Sequence, residues 1–236
     1  MTRRACLITC ALLLMTFAWS TITFALTLNF ASVDGATILF NGTGNFTFSH
    51  TGTYDFVINN ETDGSTAIGL MGNIGGTFTI GAITTVFSAE EVTYQRAGVT
   101  SVGGTFSIND GTGKTLTGTL AWPNIDALKY QFPTIPPSSS SLGDLYSAIG
   151  LANLTSIQYE GSNGDLMTLK NNGPASAIVT FQFIPGLSLT QLKTGDPHST
   201  SISGSINVIP IPASALLLGT GLVGLVGLRY RRKRQG

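Results

Sequence analysis

Large apolar side chains alternate with small or polar ones along most of the central chain. No helix can gather a period-two pattern onto one face, so these segments have to be strands with one buried side. The pattern is clear in Tyr54-Asp55-Phe56-Val57-Ile58, Thr77-Phe78-Thr79-Ile80 and Thr105-Phe106-Ser107-Ile108. Further strands are expected over 45–49, 115–122, 155–160, 166–170, 177–184 and 201–208. Asn41-Gly42, Asp63-Gly64, Gly103-Gly104, Asp110-Gly111 and Asn163-Gly164 supply turns between them. Short strands at such spacing predict an all-β fold, an antiparallel β-sandwich or a barrel-like arrangement. One short helix is expected over 142–152, after the Pro136-Pro137-Ser138-Ser139-Ser140-Ser141 stretch. Gly76-Thr77-Phe78-Thr79-Ile80 and Gly104-Thr105-Phe106-Ser107-Ile108 are near-copies 28 residues apart, which reads as two similar strands in equivalent sheet positions.

The charges are segregated. Twelve basic and twelve acidic side chains balance overall, yet Arg3, Arg4, Arg229, Arg231, Arg232, Lys233 and Arg234 all lie at the two ends. Between Asp34 and Asp196 five basic residues face twelve acids, a net of −7. An acidic body lacks the clustered positive face that phosphate binding needs, so nucleic acid is not an expected partner. Both cysteines, Cys6 and Cys10, fall in the N-terminal apolar run. Once that run is removed, a disulfide scaffold, a thiolate metal site and a cysteine nucleophile are all ruled out.

The ends read as addresses. Met1-Thr2-Arg3-Arg4, the apolar run from Ala5 to Ala18 and Thr23-Phe24-Ala25 form the three parts of a signal peptide over 1–25, with cleavage expected after Ala25. The secretory translocon and signal peptidase are the partners this implies. At the other end, Val208–Leu228 is an uncharged stretch of 21 residues, enough for one tilted transmembrane helix, with prolines tolerated in its first turn. The basic tail 229–234 should hold that end in the cytoplasm and leave the acidic body, 26–207, outside. A plain single-span anchor is the alternative reading of the same residues.

Ile209-Pro210-Ile211-Pro212-Ala213-Ser214, the apolar helix 213–228 and the Arg229, Arg231, Arg232, Lys233, Arg234 cluster together resemble a PEP-CTERM sorting signal of the Val-Pro-Leu-Pro-Ala type. Ile209 and Ile211 stand where Val and Leu are usual. The resemblance covers the last 28 residues, 209–236. It implies recognition by an exosortase-type membrane protease, removal of the helix, and delivery to the surface or extracellular polymer of a Gram-negative bacterium. The role it implies for the body is structural or adhesive, with extracellular polysaccharide as a partner.

Catalytic signatures are scarce. Gly111-Thr112-Gly113-Lys114-Thr115 ends like a phosphate loop, but Ile108 stands where the first glycine should be, and a glycine-rich hairpin explains the segment. The two histidines, His50 and His198, have no ligand spacing, and there is no Gly-x-Ser-x-Gly elbow. The expectation is a protein with no catalytic centre, cofactor or metal. Its runner-up is a carbohydrate-active enzyme with two facing carboxylates. Asn59, Glu61 and Asp63 place oxygen ligands at alternate positions before Gly64, half of a calcium loop, but Leu70 replaces the closing Glu. Tyr94, Trp122, Tyr130 and Tyr159 could stack on sugars, but core packing explains them better, above all Trp122, which shares an alternating face with Leu116 and Leu120.

Overall fold

The computed structural model describes residues 26–33, 35–62, 66–88, 92–130, 145–183 and 186–208, which fall within one compact unit, Ala25–Ile209. The expected signal peptide with Ala25, the proline motif 209–214, the helix 213–228 and the basic tail lie outside the described residues, as do Asp63 and Pro136–Ser141. Among the described residues no helix is long and apolar enough to cross a membrane.

Among the described residues eleven strands follow in order: β1 Thr27–Ser32, β2 Thr37–Phe40, β3 Asn45–Ser49, β4 Phe56–Glu61, β5 Met71–Ser88, β6 Val92–Asn109, β7 Thr115–Tyr130, β8 Leu145–Gln158, β9 Ala175–Phe183, β10 His198–Thr200 and β11 Ile202–Asn207. Helices α1 Gly164–Asn171 and α2 Leu189–Thr194 flank β9. Every strand pairing is antiparallel. Hydrogen-bonded neighbours run β5-β4-β1-β11-β9-β8-β7-β6 and return to β5, so the sheet closes into a ring of eight strands, with β3, β2 and β10 branching from β5.

The branch arises because β5 is long enough to serve two partners on one side. Its Met71 and Gly72 pair with Val57 and Phe56 of β4, and its Phe78 and Thr79 pair with Phe46 and Asn45 of β3. The wall forks again where β10 pairs with β2 and β11 with β1. Across that second fork the Ser32 hydroxyl takes the place of a ladder partner. It accepts from the Ile202 amide at 2.6 Å and donates to the Ile202 carbonyl at 3.0 Å. A shallow depression of about 650 Å³ lies there, bordered by Ala31, Ser32, Gln182, Thr200 and Ser203.

The inward faces meet in an aromatic core. Phe46 stacks on Phe78 at 5.1 Å, and Trp122 meets both edge-on at 5.2 and 5.3 Å. Phe56 links Phe30, at 4.9 Å, to Phe106, at 5.2 Å. Phe78 and Phe106, from the two near-copy segments, sit on neighbouring strands and both point inward. Leu116, Leu120 and Trp122 are all buried, as their shared face requires. Rings of this size, offset or edge-on, supply most of the apolar area a β-core needs.

Two local expectations are overturned. The helix expected over 142–152 is absent from its described part, because Leu145–Gln158 is strand β8, bonded on one side to β7 and on the other to β9. Its inward positions Gly150 and Ala152 are small, Trp122 filling the space at Gly150, and its larger Ile149 and Leu151 point outward. Pairing on both edges overrides a local pattern that suits a helix. The strand expected over 166–170 is instead helix α1. Asn163, read as a turn residue, is its N-cap and accepts from the Asp165 and Leu166 amides, while Asp165 and Lys170 suit the helix dipole at either end.

Candidate functional site

The long hairpins β5 to β8 carry their outward residues in register. Phe87 pairs with Tyr94, Tyr94 with Leu128, Arg96 with Asp126, and Asp126 with Ile149. Because paired residues share a face, these side chains form one band on the outside of the ring. Its apolar members are open to solvent: Phe87 is 55% exposed, Leu128 48%, and Ile149 and Leu151 41% each. In the middle of the band Arg96 grips Asp126 with two bonds, Nε to Oδ1 at 2.6 Å and Nη2 to Oδ2 at 3.2 Å. The Tyr94 hydroxyl donates to the same Oδ1 at 2.8 Å, and the guanidinium lies 5.7 Å from the centre of the Tyr94 ring. Burial, then the hydrogen bond and negative charge of Asp126, raise the Tyr94 phenol above its ordinary value. The result is a fixed aromatic ring beside a planar fork, a combination that can stack on a flat apolar face while bonding hydroxyl groups at its edge.

Of the four aromatic residues weighed between core packing and sugar stacking, Tyr94 alone is shown facing outward. Trp122 and Tyr159 are buried in the core, and the side chain of Tyr130 lies outside the described set. The band itself was missed at the sequence level. Its Ile149 and Leu151 fall in the segment read as a helix, and the pairing of Arg96 with Asp126 joins residues 30 apart. The one local signal was Val86-Phe87, adjacent apolar residues in which alternation fails.

A second polar group gathers at one end of the ring. The Asp110 carboxylate accepts from the Thr112 amide and hydroxyl, both at 2.8 Å, from the Lys114 amide at 3.0 Å and from the Tyr159 hydroxyl at 2.8 Å. It therefore occupies the amides that a phosphate would need, and the 111–115 segment is a hairpin loop, with Gly111 and Gly113 both at positive φ. Burial would raise the Asp110 carboxyl, but these donors outweigh it and hold it down to about 2, from 3.8. A depressed carboxyl contributes stability that is fully present above its unfolded value and is lost as pH falls through the folded one. Thermal melts followed by circular dichroism are therefore expected to decline between about pH 4 and pH 2, and Asp110→Asn to flatten that decline.

Of the calcium-loop candidates, Asn59 and Glu61 are described and do not face the same way. An extra residue in β4, at Asn59, shifts the register against β1, so that Asn60 pairs with Asn29 while Ile58 pairs with Phe30. That bulge leaves Asn59 exposed and turns Glu61 inward, opposite buried Leu28. Glu61 lies near Asp165, a carboxylate pair by charge, but they are only 9% and 8% exposed, so no sugar can enter between them as glycoside hydrolysis requires. His50 is held by Asp55 at 2.8 Å, and His198 packs edge-on against Phe183 at 6.2 Å. No family model matches this chain, and neither the curated proteins nor the solved structures compared with it contain a match.

Proposed function

We propose that the chain is an exported, surface-sorted, non-catalytic protein whose barrel-like ectodomain serves a structural or adhesive role in an extracellular polysaccharide matrix. The observation that carries this reading is the outward band of Phe87, Tyr94, Arg96, Asp126, Leu128, Ile149 and Leu151 around a ring whose interior is filled with aromatic side chains. Among the described residues aromatic side chains occupy the ring's interior, which leaves its outer surface as the place for contact with a partner. Aromatic and arginine side chains are the types that carry binding energy at such surfaces.

The terminal segments support the sorting half of the proposal. Signal peptidase would cut after Ala25, and an exosortase-type protease would act at Pro210, Pro212, Ala213 and Ser214, with the Arg229 to Arg234 cluster holding the helix in place until then. The attachment points suit a body cut at both ends. Leu26 and Val208 are both buried, and the Val208 amide donates to the Leu26 carbonyl at 2.9 Å, so the ring is already closed at the first and last described residues. Intact-mass spectrometry of the native protein, taken separately from membrane and extracellular polymer fractions, tests this. The expected result is a polymer-bound form that begins near Leu26 and ends near Pro210. A mature surface form that retains Arg229–Arg234 would replace sorting with a permanent anchor.

A further inference from the structure

We infer that Glu61 and Asp165 together hold a hard divalent cation, calcium, at the end of the ring where β4 meets α1. Glu61 is nine-tenths buried, and neither of its carboxylate oxygens has a hydrogen-bond partner. A buried carboxylate without donors is among the least stable arrangements a protein can contain, and an ion is one of the few things that explains it. Nearby protein cations do not supply the charge. The Lys170 ammonium is engaged by the Tyr159 carbonyl at 2.8 Å, and the ion pairs among the described residues join His50 to Asp55 and Arg96 to Asp126.

Asp165 is the acidic neighbour. Its Oδ2 accepts from the Thr66 amide at 2.9 Å, the Ala67 amide at 3.0 Å and the Thr66 hydroxyl, so these three donors all go to one oxygen. These same bonds fix the carboxylate in space and tie the 66–67 segment to α1. Glu61 approaches Asp165, so two buried acids are brought together without a counter-charge. A single shared proton would still leave one net negative charge buried between the two carboxyls. A cation gripped by both Glu61 oxygens satisfies both and neutralises Asp165 as well.

The donor chemistry selects the ion. Only oxygens are present, which suits calcium or magnesium over zinc or copper, and two-oxygen binding by one carboxylate suits the larger, less demanding calcium ion. No three His, Cys, Asp or Glu side chains converge among the described residues, so water completes the shell. Two carboxylates place the affinity in the weak range of extracellular modules, with Kd about 0.1–1 mM. This ligand pair differs from the alternate-residue set read in the sequence, because the bulge at Asn59 removes Asn59 from it and the fold brings in a residue 104 positions away.

The test uses the full chain stripped of metal by chelation. Calcium, at fixed ionic strength, is expected to raise the melting temperature over about 0.1–10 mM, as ligand linkage requires for such an affinity. Glu61→Gln and Asp165→Asn should each weaken that response by about tenfold or more while retaining the β-type circular dichroism spectrum. Wild-type protein that shows no calcium response overturns the site, and a Glu61→Gln variant more stable than wild type at neutral pH would then assign a protonated carboxyl there. A calcium response that survives in both variants also overturns it. Should neither variant fold, terbium luminescence on the wild-type chain decides: emission sensitised by the protein's aromatic rings, saturating at one ion per chain and quenched by added calcium, supports the site, and no emission overturns it.

Discussion

Replacing Trp122 by alanine is expected to lower the unfolding free energy by about 3–4 kcal/mol, read from the midpoint and slope of a urea titration. The indole is 1% exposed and touches Phe46 and Phe78 edge-on and Phe48 face-on, so its removal opens a void between three strands that the rigid rings around it cannot refill. The estimate sits in the lower part of the usual range for large aromatic deletions because one term opposes it. The Trp122 Nε1 is buried with no acceptor, and deleting an unsatisfied donor returns about 1 kcal/mol of its desolvation penalty. A loss under about 1 kcal/mol would show that the ring closes onto the gap, and that the aromatic cluster is not the keystone of its interior.

The role of Trp122 was legible in the sequence, because Leu116, Leu120 and Trp122 keep a strict two-residue period and one inward face fits all three. The strand at 45–49 was legible for the same reason, and its observed bounds match. What the sequence concealed were features that depend on partners far along the chain. Strand β8 hides because its inward residues, Gly150 and Ala152, are small where a buried strand face is usually large, and the bulk that compensates belongs to Trp122 on β7. Helix α1 hides because its eight residues give too short a stretch for a helical period to stand out, and its N-cap, Asn163, doubles as a turn signal. Residues 115–122 and 77–80 were read as ordinary strands, yet they belong to strands of 16 and 18 residues, since glycines and bulges interrupt their alternation without interrupting the ladder.

The candidate sites follow the same division. Tyr94 was read as fitting a core better than a ligand face, and the structure instead places it, half-buried, on the outside. Its partners Arg96 and Asp126 could not be foreseen, because a charged pair on neighbouring strands leaves no local spacing to detect. Glu61 was singled out for an alternation that a single bulge dissolves, and Asp165, the acid it does approach, lies on a different element. Closure of the ring brings these residues together, and closure depends on pairings such as Phe56 with Gly72 that no local window contains.

Gly150→Ala is expected to destabilise the protein by about 1–3 kcal/mol although it adds a single methyl group, because that methyl has nowhere to go. A Cβ at this position would stand 1.6 Å from Cζ2 of Trp122, 2.2 Å from Cε2 and 2.5 Å from Nε1, so the indole itself must move. Alanine restricts the unfolded chain more than glycine does, a gain of about 0.4–1 kcal/mol where the native backbone accepts it, and the clash has to exceed that gain. A smaller ring separates the two effects. Phenylalanine at 122 lacks the fused atoms that the new methyl would strike, so Gly150→Ala should cost about 0.5–2 kcal/mol less in a Trp122→Phe background than in the wild type. Chemical denaturation of the four proteins in this cycle measures that difference directly. An alanine penalty equal in both backgrounds would mean that the obstacle is the β7 and β9 backbone on either side of Gly150, and the glycine would then be required by the sheet and not by the tryptophan.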